Sequence, residues 1–286
     1  MVDSVALTNY EGDVRKALES GIRLIGGFGV LKSPLIIKPN ICTHVDKTGF
    51  AVTNVEVVEA LVRLLLKEDE NLLIKIVESD SESKFADEAF EKFGYKKLEE
   101  KMKSSGFDVS LVNLSRSPTV STNLKGLYFN NPELPSIIVR PRYFISLAVA
   151  KTHPLTFVTG TLKNLFGLLP RKDQSSYHAH INDIIVDLNR LVRPDLCIVD
   201  ARVGLEGWAG PKTRCINMFI IGKKPVSVDA TMARVMGFEP EKIHHLAKAE
   251  KYELGTLDPK VLGNNLKSAK VKFKSPRDLS PDALLQ

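Results

Sequence analysis

Tyr143-Phe-Ile-Ser-Leu-Ala-Val-Ala150, running directly into Lys151-Thr-His-Pro-Leu-Thr-Phe-Val-Thr-Gly-Thr-Leu-Lys-Asn-Leu-Phe-Gly167, decides how the rest of the chain is read. The apolar run is strand-length, well short of the ~20 residues that cross a bilayer. An unbroken apolar strand of this kind is buried on both faces, as in the middle of a parallel sheet. The polar, basic segment after it then falls at the strand's carboxyl end, where open α/β sheets place their ligands.

Outward from this strand, the chain alternates between the two periods. Upstream, residues 13 to 25 repeat apolar positions at helical spacing, and Leu35-Ile-Ile-Lys-Pro-Asn-Ile reads as a buried strand ended by Pro39. Val55 to Leu66 is a helix with Glu56, Glu59 and Arg63 on one side, followed by the strand Leu72-Leu-Ile-Lys-Ile-Val. A helix from Phe85 to Lys103 leads to the strand Val109-Ser-Leu-Val-Asn-Leu. Residues 116 to 135, rich in Ser, Thr, Asn and Pro, predict a hairpin or an excursion before the chain returns to the sheet through Ile137-Ile-Val. Downstream the pattern predicts a helix over 179–191, strands Leu196 to Val199 and Ile216 to Ile221, and helices over 226–236 and 241–252. Ala269-Lys-Val-Lys-Phe-Lys reads as an edge strand guarded by its lysines. The expected architecture is a three-layer α/β fold: a mostly parallel sheet with helices on both faces, residues 1–286 forming a single domain. A division into two lobes around a cleft would fall near 115–140.

Composition narrows the function classes. With 43% hydrophobic and 26% charged residues over 286 positions, the chain can bury a large core. Asp3 near the start and the lack of a basic then apolar leader argue against a secretory signal, so a cytoplasmic location and no membrane span are expected. Cys42, Cys197 and Cys215 stand far apart, which argues against disulfides and against a self-contained iron-sulfur cluster. The net charge of +6 is spread among 34 carboxylates, too weak a footprint to favour nucleic acid.

Within 151–180 the residue types suit an anion. Thr156, Thr159, Gly160 and Thr161 offer hydroxyls and close backbone approach, with Asn164 beside them, while Lys151 and Lys163 bring positive charge. Leu162, Leu165, Phe166 and Leu168 also fit the core side of a helix that the threonines merely cap. His153 is the candidate acid or base, and Lys163 an alternative, provided burial or a charged neighbour moves its pKa toward neutrality. His178 and His180 are candidate metal ligands, although their spacing points them to different faces of a helix. Asp183 and Asp187 read as a solvated face. A second cluster, Lys38-Pro-Asn-Ile-Cys-Thr-His44 with Thr53 and Asn54 at a helix start, is expected at the same opening. Asp200, taken as a strand end, and the turn Glu206-Gly-Trp-Ala-Gly-Pro are candidate borders of a ligand, with Trp208 available to stack or to cover core. His244 and His245, read as mid-helix, are expected to be packing or surface residues.

Several of these motifs together resemble the family called domain of unknown function 362, of archaea and bacteria. They are Lys38-Pro-Asn, Lys151-Thr-His to Lys163-Asn-Leu-Phe-Gly, His178, Val199-Asp200, Glu206-Gly with Gly210-Pro211, and Val228-Asp229-Ala230 before Met236-Gly237. Members are often joined to ferredoxin-type clusters; this chain has no cysteine-rich segment of that kind, so the resemblance implies a separate ferredoxin-type partner for any electron transfer. His153, ten residues before Lys163, is similar to the cofactor segment of nickel-pincer lactate racemases. That likeness implies a nucleotide-like, nickel-containing cofactor tethered at Lys163 with His178 or His180 as ligands, and the racemase Gly-Gly before the lysine is Thr161-Leu162 here.

The expected function is therefore an enzyme that binds an anionic small molecule or phosphate-bearing cofactor, with Lys38, Lys151 and Lys163 as anion partners. An isomerase or redox enzyme with a metal-containing cofactor is the alternative within the enzymes. An RNA-binding or iron-sulfur-partner accessory protein is the alternative outside them.

Overall fold

In a computed structural model, residues 3–139, 142–170 and 173–278 are described, and Arg171 and Lys172 of the 151–180 stretch lie outside them. In chain order the elements are β1 (Ser4–Asn9), α1 (Val14–Leu24), β2 (Leu35–Pro39), α2 (Val55–Glu68), β3 (Ile74–Glu78), α3 (Ala86–Lys92), α4 (Tyr95–Ser104) and β4 (Val109–Asn113). There follow β5 (Thr119–Ser121), β6 (Glu133–Pro135), α5 (Ser136–Val139), β7 (Tyr143–His153), β8 (Phe157–Thr159), α6 (Thr161–Asn164) and α7 (Ile181–Val192). The last are β9 (Leu196–Glu206), β10 (Lys212–Gly222), α8 (Pro225–Val235), α9 (His244–Glu250) and β11 (Lys260–Gly263).

Local chemistry starts the helices where the sequence suggests. Asp13 accepts the Lys16 amide at 2.9 Å to cap α1, Asn54 accepts the Glu56 amide at 2.9 Å to cap α2, and Pro225 stands in the first turn of α8. The expected 85–103 helix is two, because Gly94 takes the left-handed conformation (φ 82°) between α3 and α4.

Among the described residues the main sheet has nine strands, in the order β11-β1-β10-β9-β7-β2-β3-β4, with β8 folded back on the end of β7. From β9 to β4 all neighbours are parallel; β10 is antiparallel to both β9 and β1, while β1 and β11 are parallel. Side-chain alternation divides two cores between the faces. Leu35, Ile37, Ile145 and Leu147 pack with α1, α2, α3 and α4, whereas Ile36, Phe144 and Ala148 pack with α6, α7, α8 and α9. This is the three-layer, mostly parallel α/β architecture. β7, buried over ten of its eleven residues, lies between β2 and β9.

Four readings are corrected. β1 is a strand that the sequence reading passed over; its partners β10 and β11 come from the far end of the chain. Ile137-Ile-Val lies in the short helix α5, not in a strand, following the 119–135 hairpin, which is present as β5 and β6. Residues 269–274 are not the edge strand; β11 is, and the 269–274 segment instead lies along the end of α8, where Val271 and Phe273 amides donate to Val235 and Met236 carbonyls. Asp200 lies within β9, which continues to Glu206. Among the described residues no helix is long and apolar enough to cross a membrane.

Candidate functional site

β2 leads through α2 to β3 on one side, whereas its neighbour β7 leads through α6 and α7 to β9 on the other. Right-handed crossovers running opposite ways put those helices on opposite faces and leave a gap at the carboxyl ends of β2 and β7. A cavity of about 630 Å³ opens at that gap. Lys38, Asn40, Lys151, His153, Thr159, Lys163, Asn164 and His178 all line it.

The floor is a buried polar network. Lys38 Nζ donates to Glu78 at 2.7 Å and to the Pro39 carbonyl at 2.7 Å, and Glu78 also accepts the Ile41 and Ser79 amides. Lys84 stands 3.6 Å from the other Glu78 oxygen. Burial lowers the Lys38 pKa, and the Glu78 carboxylate opposes that shift. Lys151, 1% exposed, donates to Asn40 Oδ1 at 2.8 Å, to the Ala51 carbonyl at 2.9 Å and to Cys42 Sγ at 3.2 Å. None of these three acceptors is a carboxylate. Asn164 bridges the strands by donating to the Lys38 carbonyl at 2.8 Å and to Ser146 at 3.2 Å.

Lys163 differs from the other lysines. It is half-buried, and among the described residues its ammonium has no carboxylate or hydrogen-bond acceptor; it sits 5.7 Å from the centre of the Phe166 ring. Burial, followed by the charges of Lys151 and Lys38, brings its pKa down to about 8. His153 accepts the Leu155 amide at Nδ1, 3.2 Å, which places the proton of a neutral ring on Nε2. Burial, then Lys163 and Lys151, holds its pKa well below the usual histidine range. Burial and Lys163 also lower His178, whose ring stacks on Phe166. Thr159 Oγ1 is buried and has no partner among the described residues.

Other expected site residues hold the wall rather than form it. Thr53 Oγ1 accepts the Asn40 amide at 2.8 Å and donates to the Leu147 carbonyl. Thr161 and Leu162 amides and the Thr161 hydroxyl all donate to Asp229, which burial raises to about 6. That carboxylate caps α6 and thereby positions Lys163. Gly160 is needed because a Cβ there would lie 2.5 Å from the Asp229 carboxyl carbon. Thr152 accepts the Gly207 amide at 2.7 Å, bringing Trp208 to the cavity edge.

Three expected participants lie elsewhere. Asp200 is held by Arg202 through both carboxylate oxygens, at 3.0 and 2.9 Å, and does not line the cavity. Glu206 is engaged by Arg214 and the Lys274 amide, both at 2.9 Å. His180 stacks on Tyr128, centroids 5.0 Å apart, while His178 turns to the cavity, so the two do not form a ligand pair. The 174–180 segment that carries them is a 3-10 turn preceding α7. Among the described residues no group of three His, Cys, Asp or Glu side chains is placed to hold a metal, so the donor set does not fit a metal site built of protein ligands.

The sequence reading missed Glu78 and Lys84 as lining residues, whereas Cys42 lines the cavity with the rest of the second cluster. Glu78 was the more accessible of the two, as a carboxylate at the carboxyl end of a parallel strand. Asp187 is also corrected: it is fully buried, accepting the Leu127, Tyr128 and Phe129 amides at 2.8, 2.9 and 3.0 Å. His244 and His245 begin α9 rather than lying mid-helix, and His245 is fully buried.

The model of the family described as domain of unknown function (DUF362) matches residues 35–234, from β2 to α8. The chain belongs to this family. The matched DUF362 span contains every residue lining the cavity. The chain is also similar to the thylakoid-associated protein sll1697 of Synechocystis sp. (strain ATCC 27184 / PCC 6803 / Kazusa), 25% identical across 99% of this chain and 87% of the relative.

Proposed function

We propose that this DUF362 chain is an enzyme acting on an anionic small molecule held at the lysine floor of the cavity. One observation carries the reading: among the described residues four lysines line the cavity against two glutamates, and the Lys163 ammonium has no counterion. Such an ammonium in a partly desolvated site gains most when an anion arrives. The unpartnered Thr159 hydroxyl is a further donor for the same ligand. A volume near 630 Å³ suits a small metabolite or cofactor. The neutral His153 ring and a lysine of pKa about 8 supply a base and an acid near neutral pH.

Calorimetric titration with inorganic phosphate or sulfate tests the reading. Wild type is expected to bind, and Lys163→Met to lose binding with its circular dichroism unchanged; equal affinities for the two proteins would refute the assignment. A steep salt dependence of RNA binding, with no small-anion binding, would instead favour the accessory-protein reading.

A further inference from the structure

We propose that Lys163 is a covalent catalyst, its amine capturing the carbonyl carbon of a small anionic oxo compound as an imine. This rests on the anion-site reading above and narrows its substrate class to oxo acids and related carbonyl anions. Three structural features support it. Lys163 lines the cavity, on α6, whose first turn is clamped by the buried Asp229. Its nitrogen is tied to no carboxylate or other acceptor among the described residues, whereas Lys38 and Lys151 are engaged by Glu78, Asn40, Ala51 and Cys42. A lysine held only for charge has no need of that isolation; a nucleophilic amine does, because a paired ammonium keeps its proton.

The surroundings fit the same chemistry. Among the described residues the charged or titratable groups lining the cavity with the amine are Lys38, Lys84, Lys151, Cys42, His153, His178, Glu78 and Glu82, with His245 also near it, cations in excess and Glu78 already bound to Lys38. Neighbouring ammonium groups and a partly apolar wall, including Phe166, favour the neutral amine, in keeping with the lowered lysine pKa. Thr159, whose buried hydroxyl has no partner among the described residues, lines the same cavity. In the reaction the amine lone pair forms the C–N bond as the carbonyl π bond breaks, and the oxygen takes up a proton. The hydroxyl then takes up a second proton and leaves as water, so the oxygen gains the two protons that the nitrogen gives up. Nitrogen loses its own protons, and the C=N bond is complete without any oxidant or reductant.

The test is to incubate the full chain with pyruvate, reduce with cyanoborohydride, and map adducts by peptide mass spectrometry, with phosphate titration of the same samples. The expected result is one N-carboxyethyl group on Lys163, suppressed by excess phosphate and absent from Lys163→Arg, which keeps the charge but cannot form the imine. No adduct, or labelling spread over surface lysines with Lys163 unmodified, overturns the covalent role. Phosphate binding without the adduct would leave the anion site standing and sink only the imine. An adduct without phosphate binding would support the imine and refute the anion-site reading on which its substrate class rests.

Discussion

At the scale of single residues, the cavity's behaviour follows from which charges are cancelled. Lys163 is charged below about pH 8 and neutral above it, so phosphate affinity should be greatest below that point and fall as pH rises through it. A titration series across this range checks the sign, and a flat profile would remove Lys163 as the titrating partner. Lys38 has a different role: Lys38→Met leaves Glu78 buried with only the more distant Lys84, and should cost on the order of 3 kcal/mol in urea denaturation. Gly160→Ala forces a methyl against the Asp229 carboxylate and should cost about 1–3 kcal/mol by the same measurement, with the α6 clamp disturbed.

At the scale of elements, two carboxylates fix segments far from them in sequence. Asp229 on α8 fastens α6, while Asp187 on α7 fastens the 126–129 loop, where even a Cβ at Gly126 would sit 2.1 Å from it. Asp187→Ala strips three amides of their acceptor, so a loss of about 2 kcal/mol is expected. Hydrogen exchange at Leu127, Tyr128 and Phe129 should rise while that of β7 is unchanged. Unaltered exchange in the loop would show that other contacts hold it.

Over the whole molecule, buried neutral histidines set the response to acid. His245 is fully buried with no ring-nitrogen partner among the described residues, and burial, then Lys163 and His244, lowers it to about 3 from 6.5. The unfolded chain therefore binds the proton first, so this stability contribution is present above pH 6.5 and is lost as pH falls toward 3. By about pH 5 the loss from this group alone is on the order of 2 kcal/mol. His245→Leu should match wild type near neutrality and be the more stable protein near pH 5; parallel denaturation midpoints at both pH values would contradict this.

What the sequence by itself determined is whatever depends on local period and composition. The apolar run of β7, the alternating helices and strands from β2 to β4, and the caps Asp13 and Asn54 are written in contiguous residues, as is the concentration of Lys, His and Thr after β7. That sufficed for the α/β class and for the carboxyl-end position of the basic segment, because that segment follows the apolar run directly along the chain. Only the tertiary structure decided which charges are spent and which remain free. Asp200 and Arg202 are two residues apart and satisfy each other, whereas Lys38 finds Glu78 forty residues away and Thr161 finds Asp229 sixty-eight away. β1 likewise becomes a strand through pairing with β10 and β11. A lysine's pattern in sequence is the same whether or not a carboxylate reaches it; the reach is set by packing, and packing leaves Lys163 as the lysine in the cavity with no acceptor among the described residues.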